Sequence, residues 1–145
     1  MGNLNLKGYV SSRPFLDEFL PQQIQNLVIR DFCLKYRNNY LLSAVEYAMN
    51  NTYSILEETI ENIKYYDGIV AYTLFQLPRN SELRQNMLNR ILKQKKVIHF
   101  ALEKIRVEKY TDILIIESIY QSRLSIEKNK INIENIKLEI MKTLI

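Results

Sequence analysis

The stretch Gly68-Ile69-Val70-Ala71-Tyr72-Thr73-Leu74 is apolar almost without interruption, and it runs straight into Phe75-Gln76-Leu77-Pro78-Arg79. A run this short and this apolar reads as a strand covered on both faces. The proline forbids its continuation as a central strand. Strands of this kind belong to parallel sheets flanked by helices, so the segments on either side should alternate between strand and helix.

They do. Leu6, Gly8 and Val10 alternate with Lys7, Tyr9 and Ser11, which predicts a first strand over residues 6–12 that ends in Ser11-Ser12-Arg13-Pro14. Residues 15–20 read as a connection. Pro21 suits the first turn of a helix. Ile24, Leu27, Val28 and Phe32 then recur at helical spacing until Asn38-Asn39 stops them. Residues 40–47 give a second strand with Glu46 at its C-terminal end, and Asn51 or Thr52 can cap a helix marked by Ile55, Leu56, Ile60 and Ile63. After the central run, Asn80 or Ser81 caps a helix whose buried side is Leu83, Met87, Leu88, Ile91 and Leu92. Residues 97–102 are a fourth strand, in which His99 reads as a satisfied core or edge side chain rather than a catalyst.

From residue 110 the pattern is helical, with Ile113, Ile116, Tyr120 and Leu124 on one face and Ile133, Ile136, Ile140 and Leu144 on another. Asn129 and Asn132 predict a break, and residues 131–140 also alternate in part as a strand would. The fold class expected is therefore α/β: a four-stranded parallel sheet with helices on both faces, over residues 1–108, followed by a helical extension over 109–145. The extension carries more apolar positions than a small sheet needs for cover, which points to homo-oligomerisation through the C-terminal helices.

Composition removes several function classes. With 145 residues, 47% hydrophobic and 25% charged, the chain suits one ordinary globular domain. The net charge of +4 comes from scattered lysines and permits, without requiring, contact with phosphates. A single cysteine, Cys33, excludes an intrachain disulfide, reads as a buried inert thiol and suits a reducing, cytoplasmic setting. No signal-peptide core opens the chain, and the longest apolar run, residues 113–116, is too short to cross a bilayer. There is no Gly-x-Gly-x-x-Gly and no Walker-type loop. One His and one Cys exclude a common zinc cluster, and a Ser–His–Asp triad has only His99 to draw on. Neither a metal nor a cofactor is expected. The tyrosines are not interleaved with a basic patch, so nucleic acid is not the expected partner.

In open α/β sheets, ligands bind beyond the C-terminal strand ends where strand order reverses. That rule selects Ser11-Ser12-Arg13, residues 46–52 and residues 75–79. Arg13 and Arg79 can hold an anion, with Ser11, Ser12 and Gln76 hydrogen-bonding the ligand. Glu46 can orient an arginine or transfer a proton. The competing reading makes Arg13 and Glu46 a structural ion pair.

Two resemblances attach to these residues. The order of elements over residues 6–103, with Gly8-Tyr9, Gln25, residues 27–33, Glu46, Asp67-Gly68-Ile69-Val70 and the turn at 74–79, resembles the catalytic domain of resolvase-type serine recombinases, a flavodoxin-like sheet. The resemblance implies an arginine and then a nucleophilic serine on the first strand, and an Asp-Arg pair and a second arginine on the turn. Here those positions hold Ser11, Arg13, Phe75, Gln76 and Arg79, so only the last is kept, and Ser12 serves only with a slip of register. Strand exchange needs a serine to attack the phosphodiester and arginines to hold the developing charge, and most of that set is missing.

The stretches Gly8-Tyr9-Val10-Ser11-Ser12-Arg13-Pro14, residues 21–33, residues 41–49 and residues 67–79 resemble the sporadic carbohydrate cluster family of bacterial surface-polysaccharide gene clusters. This resemblance implies a role in lipopolysaccharide, O-antigen or capsule synthesis, with an anionic sugar or sugar nucleotide as ligand. The alternatives are a non-catalytic scaffold for glycan enzymes and a divergent recombinase-like protein that binds DNA.

Overall fold

The computed structural model describes residues 2–15 and 19–144, so residues 16–18 of the expected connection lie outside it. In chain order the elements are β1 (Asn5–Ser11), α1 (Gln22–Lys35), β2 (Asn39–Glu46), α2 (Ser54–Glu61), β3 (Gly68–Ala71), α3 (Ser81–Lys93), β4 (Val97–Phe100), β5 (Ile105–Val107) and α4 (Tyr110–Thr143). Two single 3₁₀ turns, Ile63–Tyr65 and Leu74–Gln76, flank β3.

The strand order is β2-β1-β3-β4-β5. The first four strands are parallel, and β5 runs antiparallel to β4. The sheet thus has five strands, where the sequence predicts four. The extra strand follows a tight turn in which Lys104 takes a left-handed φ of 57°. Neither a glycine nor an asparagine announces that turn, and three residues are too few to show a period.

Right-handed crossovers fix the faces. The β1–α1–β2 connection steps one way along the sheet, and β2–α2–β3 and β3–α3–β4 step the other way. The first therefore lies on one face and the other two on the opposite face. Consistent with this, Arg90 of α3 pairs with Glu57 of α2. On the α1 face, Ile29, Phe32 and Cys33 pack with Leu6, Val10, Val70 and Val97 in one buried cluster. The Cys33 thiol is pushed up to about 11 by burial, as an inert core thiol should be.

The helix faces differ in phase from the expectation. On α1 the buried residues are Gln25, Ile29, Phe32 and Cys33, while Ile24 and Leu27 are exposed. On α3 the buried arc begins at Arg84, and Leu83 faces out. In both helices a polar side chain has taken a core position because it bonds to backbone at the top of the sheet.

Two glycines are required by close approach. A Cβ on Gly8, where the β1–β2 register shifts, would strike the Ser43 side chain. One on Gly68 would strike the Val97 carbonyl oxygen and lie 2.7 Å from Val97 Cγ2.

By packing, the chain divides into the compact units Met1–Ile113 and Leu114–Ile145. Helix α4 is continuous over Tyr110–Thr143, roughly 50 Å by the rise of an α-helix. The expected break at 129–132 and the strand alternative at 131–140 are both corrected. Asparagine costs only a few tenths of a kcal/mol in a helix interior, too little to interrupt so long a run. No helix among the described residues is long and apolar enough to cross a membrane.

Candidate functional site

Strand order reverses at β1, which has β2 on one side and β3 on the other. The loops after β1, β2 and β3 therefore rise around one crevice. Arg13, Asn50, Asn51, Tyr53, Phe75 and Arg79, one group from each loop, line a cavity of about 360 Å³ there. The two arginines singled out by the strand-end rule are thus brought to one pocket.

Arg13 is 6% exposed. Its guanidinium lies over the Tyr53 ring, 4.4 Å from the centroid, and Nη1 donates to the Thr52 carbonyl. Its Nη2 is buried and has no hydrogen-bond partner among the described residues. A buried cationic N–H left unpaired is costly. No ion pair joins Arg13 to Glu46, so the structural-pair reading does not describe this loop. Arg79 is exposed at the cavity rim, and its carbonyl accepts from Arg84 Nη1 at 3.0 Å.

The other expected ligand-binding groups are engaged within the protein. Ser11 is 1% exposed, and its backbone N–H and carbonyl pair with the Gln25 amide at 3.2 and 2.7 Å. Gln76 Nε2 donates to Ser11 Oγ at 3.2 Å and to Gln25 Oε1 at 2.8 Å, and its Oε1 accepts from the Thr73 N–H at 3.2 Å. Gln76 touches the cavity wall but its amide is used up. Ser12 is half-buried and is not among the residues lining the cavity.

Glu46, the expected acid–base group, is 2% exposed and lies outside the cavity lining. It accepts from Tyr9 Oη at 3.0 Å and from the backbone N–H groups of Tyr47, Ile55 and Leu56 at 3.1, 3.0 and 3.1 Å. The carboxylate therefore caps the first turn of α2 from the end of β2, a task the sequence assigns to Asn51 or Thr52. Asn51 instead takes a left-handed φ of 58° in the cavity wall. Burial, and next the Glu46 charge, push the Tyr9 hydroxyl well above the usual phenol range, with Arg13 opposing them. The chemistry here is that of a fixed hydrogen-bond donor.

Two positioning residues escape the sequence reading. Glu103, beyond β4, accepts from Thr73 Oγ1 and from the Leu74 N–H, both at 2.7 Å. Burial raises its carboxyl above the ordinary range against those two bonds. Arg84 of α3 donates from Nη1 to the Pro78 carbonyl at 2.9 Å. Together they clamp the loop that carries Phe75 and Arg79. One local signal is readable: Thr73-x-x-Gln76 is a capping box, and both of its bonds are present. The clamps come from residues with no such spacing.

In fold, the chain is similar to a resolvase-family site-specific recombinase from Streptococcus pneumoniae, with a TM-score of 0.56 and 16% identity over 97% of this chain and 99% of that one. It is likewise similar to the N-terminal catalytic domain of TP901-1 integrase, with a TM-score of 0.56 and 16% identity over 85% and 97% of the two chains. At that identity the likeness is one of fold. No protein-family profile and no curated protein matches the chain. The resolvase-like architecture is therefore supported, and the polysaccharide-cluster resemblance receives no support from these comparisons.

Proposed function

We propose that this chain is a divergent serine-recombinase-like protein that binds a phosphate group between Arg13 and Arg79 and does not exchange strands. The observation that carries the reading is that the Arg13 and Arg79 side chains, from two strand ends, line one cavity. The resemblance expects a serine at residue 13 and an Asp-Arg pair at 75 and 76. Here the first position is a cation, and the second pair is an aromatic ring and a fully bonded amide. A phosphate can be held by this set, but no serine is among the described residues lining the cavity.

The resolvase-like fold favours a nucleic-acid phosphate as the ligand. The size of the cavity favours a phosphate-bearing small molecule such as a sugar nucleotide, since about 360 Å³ lies in the range of small-molecule sites. Calorimetry with inorganic pyrophosphate, together with duplex-DNA binding over a salt series, separates the two. Salt-steep duplex binding supports the first ligand. Pyrophosphate binding without it supports the second. An Arg79→Ala chain that folds normally and binds either ligand as tightly as wild type would contradict the site.

Helix α4, taken alone, exposes Ile126, Ile133, Ile136, Ile140 and Met141. We propose that it associates with a second copy, and sedimentation of the full chain against one truncated after residue 125 tests this.

A further inference from the structure

Within helix α4, Ile119, Ile126, Ile133 and Ile140 recur every seven residues. Ile119 is half-buried, and the other three are exposed. At that spacing they form one seam, roughly 32 Å long by the rise of an α-helix, like the a positions of a coiled coil. The d positions of the same repeat hold Ser122, Asn129, Ile136 and Thr143, all exposed. A β-branched residue at a favours two strands. Arg123, Lys130 and Lys137 flank the seam on one side, and Ser118, Ser125 and Asn132 flank it on the other.

A parallel, in-register pair on this seam stacks like on like. Its a layers set isoleucine against isoleucine. Its d layers set Ser122, Asn129 and Thr143 each against its own counterpart, where hydroxyls and amides can bond one another. The antiparallel pair that overlaps residues 119–143 in full mixes the rows: Ile133 meets Asn129, Ile140 meets Ser122 and Ile119 meets Thr143. Polar groups are then covered by isoleucine, at a cost. Charge points the same way. In parallel, each flanking cation faces a serine or asparagine of the second copy; in antiparallel, the cationic side faces itself. The helix has a second row at the same spacing, Leu124, Ile131 and Leu138, but a pair seated on it encloses Glu127 and Glu134, and enclosed carboxylates are costly.

Resting on the association proposed above for α4, we infer that two copies of this chain pair through residues 119–143 as a parallel, in-register, two-stranded coiled coil with Asn129 against its own counterpart. A polar pair inside such a seam fixes the register at some cost in stability. Chain order then requires that residues 1–113 of both copies lead into the same end of the pair.

The test is disulfide cross-linking of the full chain under mild oxidation, read beside sedimentation. Ser122→Cys should cross-link to itself and run as a dimer on a non-reducing gel. In the antiparallel pair the two sulfurs would lie about 27 Å apart along the axis and could not join. Lys128→Cys, on the outer side of the pair, should not cross-link, nor should the native chain, whose Cys33 is buried. Ile133→Asn should turn the sedimenting dimer into a monomer, and Asn129→Ile should keep the association. A dimer by sedimentation in which Ser122→Cys fails to cross-link, or cross-links no faster than Lys128→Cys, overturns the parallel register while leaving the association intact. A mass of three chains overturns the two-stranded pair. A monomer at every concentration overturns both the register and the association.

Discussion

Replacing Glu46 by alanine separates a structural carboxylate from a chemical one. In the native chain this side chain closes the top of β2 onto the start of α2 by accepting from Tyr9 Oη, Ile55 N–H and Leu56 N–H. Tyr9 is 1% exposed, so its hydroxyl cannot turn to water when the carboxylate goes. An orphaned buried hydroxyl costs about 1–3 kcal/mol. Loss of a helix cap costs about 1 kcal/mol more. The sum, roughly 3 kcal/mol, is a large part of the 5–15 kcal/mol that holds a domain together. For a chain of this size it should lower Tm by roughly 10 °C.

Urea unfolding of wild type, Glu46→Ala, Tyr9→Phe and the double variant reads this directly. The cycle should show a coupling of about 1 kcal/mol between the two side chains. An alanine variant within 0.5 kcal/mol of wild type, on the order of an ordinary surface substitution, would refute the reasoning and return Glu46 to the list of groups available for proton transfer.

Other outcomes follow from single contacts. Gly68→Ala drives a methyl into the Val97 carbonyl and should destabilise by about 1–3 kcal/mol in the same assay. Lys95 ends α3 with a left-handed φ of 58°, so Lys95→Gly should stabilise by about 1 kcal/mol, seen as a higher urea midpoint. His99 is buried beside Arg106, and burial first and that charge second lower it from 6.5 to about 4. Between those values the unfolded chain binds the extra proton, so stability should be full above pH 6.5 and fall as pH drops toward 4. The loss is at most roughly 3 kcal/mol. Comparing His99→Phe with wild type across pH 4–7 isolates it: the variant's profile should be flatter by that amount.

The parts of the fold that were legible in the sequence are those set by local pattern. The apolar run at 68–74 and the alternation at 6–12 mark β3 and β1, and Asn80 caps α3 as expected, accepting from Leu83 N–H at 2.9 Å. What was not legible depends on partners far along the chain. Gln25 and Arg84 occupy core positions because they bond to backbone at the strand ends, which shifts the buried arc of both helices away from the apolar count. Strand β5 is too short to carry a period, and the turn before it uses Lys104 where a glycine would have marked it. The meeting of Arg13 and Arg79 at one cavity was legible in outline, because strand ends and topology place them together. The tasks of Ser11, Glu46 and Gln76 were not, because a polar residue at a strand end reads alike whether it faces a ligand or closes a network.

A crystal of the chain grown with inorganic phosphate tests the central claim most directly. The account requires an ordered phosphate oxygen about 3 Å from an Arg13 or Arg79 guanidinium nitrogen in the cavity. A fully ordered cavity that stays empty at saturating phosphate, or phosphate bound only elsewhere on the surface, would contradict it.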